Sequence, residues 1–94
     1  GTSFTEKELK ELGIKIPDIT LGPDKIKAIR KKTKLSQSVF ARVLNVSSSS
    51  ISQWEQGKRK PTGSTKVLLE ILDKKPHILD YRIHIHSSKR KQAA

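Results

Sequence analysis

The chain has no cysteine and no methionine, and aromatic residues make up only 4% of its 94 residues. Without cysteine there is no disulfide scaffold, no thiolate zinc site and no cysteine nucleophile. No apolar run exceeds three residues, as in Val67 to Leu69, which leaves no candidate membrane span. The N-terminal residues show no apolar stretch of a secretion signal, so the expected location is cytoplasmic. Acidic residues are scarce as well: 9 stand against 20 basic ones, for a formal net charge of +11. With hydrophobic residues at 33%, a chain of this length buries one modest core and has little room for an enzyme cleft. No Ser-His-Asp set or carboxylate pair has a supporting context, so the expectation is a protein that is not an enzyme and needs no cofactor.

The basic residues are unevenly placed. Residues 1–22 carry Lys7, Lys10 and Lys15 against Glu6, Glu8, Glu11 and Asp18, a net of −1. Residues 23–94 carry 17 basic and 5 acidic residues, a net of +12. A strongly basic unit behind a nearly neutral arm points to a polyanion for the unit, nucleic acid ahead of a merely solubilising surface, and to a different role for the arm.

Three stretches follow from the pattern. Residues 1–22 form an arm with one short helix, Thr5 to Leu12. Thr5 stands three residues before Glu8, a capping-box spacing, and Gly13 stops the helix. Ile14, Ile16, Ile19 and Leu21 follow, interrupted by Pro17. Residues 23–82 form the folded unit. Pro23 and Asp24 suit the first turn of a helix. There Ile26, Ala28 and Ile29 are expected inward, with Lys25, Lys27, Arg30, Lys31 and Lys32 facing water. Ser36 caps a second helix, Gln37 to Leu44, and Asn45 tolerates the left-handed conformation at its end. Ser47 caps a third, Ser48 to about Gln56, with Ile51 and Trp54 inward. Thr65 to Asp73 makes a fourth, and Pro76 opens a last helical turn or two. Asp73 and Asp80 are read as surface residues. Residues 83–94 form a basic tail with a strand-like alternation of Ile83, His84, Ile85 and His86. With no further ligands than His77, no metal site is expected there.

Two short helices joined by a turn at Asn45 and Val46 have the spacing of a helix-turn-helix, whose second helix can enter the DNA major groove. Ala41 is small where the helices cross. Phe40, Leu44, Val46, Ile51 and Trp54 fill the space beneath. Ser48, Ser49, Ser52 and Gln53 project outward, and Ser50 faces sideways.

Ser36-Gln37, Ala41, Leu44, Val46-Ser47, Ile51-Ser52, Trp54-Glu55, Gly57 and Pro61 stand in register with one family pattern. On these residues the segment resembles the helix-turn-helix of the XRE family, which includes the lambda-type repressor and Cro proteins. The resemblance implies an all-α, five-helix, lambda-repressor-like DNA-binding domain. It departs at Asn45, usually glycine, and at Phe40, usually leucine. It places Ser48, Ser49, Ser52 and Gln53 at base-facing positions. Gln56, Lys58, Arg59 and Lys60 fall in the loop that meets backbone phosphates. Gln37 would bond a phosphate or the recognition helix. Three serines among four readers imply weak direct readout, with phosphate contacts and DNA shape carrying much of the affinity.

From Asp24 to Arg82 the chain also resembles antitoxins of the HigA and MqsA type. Ile29, Arg30 and Lys32, the Trp54-Glu55-Gln56-Gly57 segment, and Ser64 to Leu79 carry that likeness. It implies a homodimer on a palindromic operator, joined through Leu68, Leu72, Ile78 and Leu79. It implies a small basic toxin of the RelE or HigB type as partner, held by Leu9, Leu12, Ile14, Ile16 and Ile19 of the arm. The expected function is a repressor that is the antitoxin of a type II module, associated with the bacterial nucleoid. The alternative is a stand-alone XRE-type regulator with no toxin partner.

Overall fold

The computed structural model describes residues 3–84, and among these every regular element is helical. The order is α1 (Glu6–Glu11), α2 (Pro23–Thr33), α3 (Gln37–Leu44), α4 (Ser48–Glu55) and α5 (Ser64–Lys74), then a single 3-10 turn at Asp80–Arg82. Among the described residues no helix is long and apolar enough to cross a membrane.

Side-chain caps set the starts of α1, α3 and α4, while α2 and α5 begin after glycines with no side-chain cap. Thr5 Oγ1 accepts from Glu8 N at 3.1 Å, and Glu8 Oε1 accepts from Thr5 N at 3.2 Å. The box closes as the spacing implies. Ser36 Oγ accepts from Val39 N at 3.3 Å and Ser47 Oγ from Ser50 N at 3.1 Å. Each cap satisfies a backbone donor that the helix itself cannot. At the other ends, Gly13, Asn45 and Gly57 all have positive φ. After each of them an N–H reaches back five residues: Ile14 to Leu9 O, Val46 to Ala41 O and Lys58 to Gln53 O, each at 2.9 Å. That closure satisfies the last carbonyls and turns the chain sharply.

One core joins α2, α3, α4 and α5. Ile26, Ile29, Phe40, Ala41, Leu44, Ile51, Trp54, Leu69 and Leu72 form it, with Leu21, Leu35, Val46, Leu68 and Leu79 packed against its rim. Each fully buried aliphatic or aromatic side chain here contributes about 1.5–3 kcal/mol. Two lysines of α2 also clamp α5. Lys25 and Lys32 meet Asp73 at 2.9 and 2.6 Å, and Lys32 Nζ also donates to Asp73 O at 3.2 Å.

The sequence reading needs three corrections here. Ala28 is exposed rather than inward, because it lies two residues, roughly 200° of helix, from Ile26. Arg30 does not face water but is half-buried in an ion pair. Asp73 is not a free surface carboxylate but the clamp just described. The last helical turns expected from Pro76 are present as turns that run into the 3-10 segment. Of the strand-like stretch, Ile83 and His84 are irregular, while Ile85, His86 and the rest of the tail lie outside the described residues.

Candidate nucleic-acid interface

The α3–α4 unit is built around one buried carboxylate. Glu55 closes α4, and its side chain is 2% exposed. Arg30 of α2 meets it with two bonds, Nε to Oε2 at 2.6 Å and Nη2 to Oε1 at 3.0 Å. Gln37, the first residue of α3, donates Nε2 to Oε1 at 3.1 Å. Arg30 Nη1 also donates to Leu35 O at 3.0 Å, just before α3. Three bonds thus pin the end of α4 to α2 and to the start of α3, and the fourth ties α2 to the segment that leads into α3. The Arg30 guanidinium, with help from Gln37, holds the Glu55 carboxyl below the usual range against the opposing effect of burial. Gln37 therefore bonds α4, which the resemblance makes the recognition helix and one of the two partners it offered.

Charged partners across 25 residues are readable in hindsight. Arg30 lies four residues after Ile26 and Glu55 four after Ile51, on the same helical faces as those buried side chains. Two charges at inward positions of neighbouring helices need each other.

The opposite face of α4 is polar. Ser48 and Ser49 are exposed, and Ser52 and Gln53 are partly so. Side chains on this face are linked in pairs one turn apart. Gln53 Nε2 donates to Ser49 Oγ at 3.3 Å, and Gln56 Nε2 donates to Ser52 Oγ at 2.6 Å. Ser50 turns toward the cap, with its Oγ 2.9 Å from Ser47 Oγ. Gly57 then bends the chain at φ 76°, and Lys58, Arg59 and Lys60 follow, all exposed. The bend also lies close to α2: a Cβ on Gly57 would stand 3.1 Å from Pro23 Cγ. The structure thus gathers the four base-facing candidates, and the three basic loop residues, beside one helix.

The remaining expected residues are scattered. Leu72 is 2% exposed and belongs to the core, so it has no surface to give a second subunit. Leu68 and Leu79 are half-buried against the same core, and Ile78 is 44% exposed. The accessible apolar residues of α5 are Val67 and Ile71, one turn apart. In the arm, Leu9, Ile14 and Ile16 line one groove with Lys7 and Lys10. Ile16 is 80% exposed, and Leu12 and Phe4 also face solvent. Ile19 is half-buried. With Leu21 it lines a second groove, against Lys60, Pro61 and Lys66, where the arm joins the basic loop.

Residues 26–74 match the family model described as helix-turn-helix. Antitoxin HigA-2 of Vibrio cholerae is 35% identical over 66 residues, covering 70% of this chain and 64% of its own length. Antitoxin MqsA of Escherichia coli K12 is 34% identical over 61 residues, covering 65% of this chain and 47% of its own length. The chain therefore spans less than two thirds of either relative.

Proposed function

The chain belongs to the helix-turn-helix family, in its XRE branch, and on that premise we propose that it is a DNA-binding repressor acting as an antitoxin. It binds a palindromic operator as a homodimer and neutralises a small ribonuclease toxin of the RelE or HigB type. The observation that carries the DNA part is the polar face of α4, aimed by the Arg30–Glu55–Gln37 network and flanked by Lys58, Arg59 and Lys60. A short helix with serine and glutamine outward and a basic loop at its end suits base edges and phosphates together.

Two features support the antitoxin part. Both relatives are named antitoxins. The arm presents Leu9, Leu12, Ile14 and Ile16 at or near the surface, on a segment too short to cover them. Such a segment gains its apolar contacts on a partner. Self-association falls to Val67, Ile71 and Ile78, in place of the buried Leu72. A two-fold there would set two α4 helices about 34 Å apart, one turn of DNA.

Co-expression with the product of the adjacent open reading frame, followed by affinity capture and a gel shift on the shared promoter, tests both parts. A stable complex and a retarded promoter fragment are expected. Retardation without a captured neighbour would leave a stand-alone regulator. Capture without retardation would remove the DNA-binding part.

A further inference from the structure

Arg59 lies outside α4, yet its side chain returns to that helix. The positive φ of Gly57 folds the loop back, so that Lys58 N and Arg59 N both reach Gln53 O, at 2.9 and 3.4 Å. Arg59 Nη1 then donates to Gln53 Oε1 at 3.3 Å. Gln53 in turn donates to Ser49 Oγ. The three side chains make a chain of bonds along the polar face of α4. Lys58 and Lys60, on either side of Arg59, make no side-chain hydrogen bond or ion pair with the described residues.

We propose that Arg59 reads a guanine in the major groove and that Gln53 aims it. The inference rests on the DNA-binding reading above, and it moves Arg59 from the phosphate-binding to the base-reading set. A guanidinium carries five N–H donors in a planar fork. One bond to Gln53 fixes its plane and leaves a free edge to meet guanine O6 and N7 together. Glutamine reads adenine by using its own oxygen and nitrogen at once. Here the oxygen accepts from Arg59 and the nitrogen donates to Ser49, one bond at each end, which fixes the plane of the Gln53 amide and makes it the support of the pair. Serines discriminate poorly among base pairs and have little reach. An arginine held over them supplies the discrimination that Ser48, Ser49 and Ser52 lack.

The test uses the full chain and a randomised duplex library, with sequencing of the duplexes it enriches. The best duplex is then remade with 7-deazaguanine, which lacks the N7 acceptor, at one guanine at a time. The unaltered protein should lose about tenfold in affinity at one guanine in each half-site and at no other. Arg59→Ala should bind the normal and the substituted duplex alike. Gln53→Ala should lose preference at that same base pair, and the double variant should lose little more than either single one. Lys58→Ala should weaken all duplexes evenly and keep the sensitivity to 7-deazaguanine. The proposal is overturned if Arg59→Ala also weakens every duplex evenly and lowers the salt slope, which is the behaviour of a phosphate contact. It is overturned too if Gln53→Ala relaxes a different base pair. Failure of the unaltered protein to enrich or bind any duplex would overturn the DNA-binding reading itself, and this inference with it.

Discussion

Arg30 and Glu55, 25 residues apart in the chain, meet through two hydrogen bonds of 2.6 and 3.0 Å. The pair joins the first helix of the domain to the last residue of the candidate recognition helix. Its carboxylate is almost wholly buried, and its guanidinium is mostly so. Removing one member strands the other's charge. Glu55→Gln should cost about 3 kcal/mol of stability, read from urea unfolding. Arg30→Lys keeps the charge but not the fork, and should lose a substantial part of the same amount. A change below about 0.5 kcal/mol in Glu55→Gln would make the pair a bystander.

Acid should weaken the fold through two carboxylates. Lys32, then Lys25, hold the Asp73 carboxyl below its ordinary value, as Arg30 does for Glu55. Between the ordinary and lowered values the unfolded chain binds more protons than the folded one, so stability rises with pH there. The contribution is complete above the ordinary carboxylate value near pH 4 and is lost as the pH falls through the lowered values. Urea midpoints should be flat from pH 7 to about pH 5 and drop below about pH 4. Asp73→Asn should have a lower midpoint at pH 7 and a shallower drop in acid. A parallel drop would locate the acid sensitivity elsewhere.

The two left-handed residues beside α4 should respond unequally to substitution. Gly57→Ala places a Cβ 3.1 Å from Pro23 Cγ at φ 76°. It should cost about 1–2 kcal/mol for the backbone alone, and it also pushes against the start of α2. Asn45→Gly at φ 60° relieves a strained residue of its Cβ and should change stability by less than about 0.5 kcal/mol. Thermal unfolding of the two variants compares them directly.

The short-range chemistry of helix ends was legible in the sequence. Thr5, Ser36 and Ser47 as caps, Asn45 as a left-handed stop and Pro23 as a first residue each act within three or four positions. Trp54 and Ile51 as core residues followed from their spacing. What escaped was long-range pairing. A charged residue reads as solvated until its partner is known, so the pattern alone puts Arg30 in water and Asp73 on the surface. Likewise Leu72 resembled the other leucines of its helix, and only the packing of α5 on α2 shows that it is used inside the subunit. In the candidate site, the positions along α4 could be read from the motif. The loop's return toward Gln53 could not, because it depends on one glycine dihedral.

DNA binding should depend steeply on salt. A dimer using Lys58 and Lys60 on each half-site would neutralise about 4 phosphates, for a log–log slope of about −4, with Gln56 and backbone amides adding neutral hydrogen bonds. Lys60→Ala should lessen the slope by about 1 per half-site. A slope near zero, measured by fluorescence anisotropy on a labelled duplex, would remove the electrostatic part of the function.

Two truncations separate the arm from the core. Leu21 packs on the core rim, while Ile14 and Ile16 do not. Removing residues 1–16 should leave the thermal midpoint and DNA affinity unchanged and abolish capture of the toxin. Removing residues 1–22 should in addition lower the midpoint. A midpoint that falls with the shorter truncation would assign the whole arm to the core.

Helices α3 and α4 have eight residues each. Segments so short cannot hold helical form alone in water. The reading surface is therefore a property of the assembled domain and has no existence as a separate peptide. Occupancy by DNA and resistance to unfolding are then one equilibrium seen from two sides. Whatever grips the face of α4 stiffens α2 and α5 behind it, and a chain that has lost its core has also lost its ability to recognise anything.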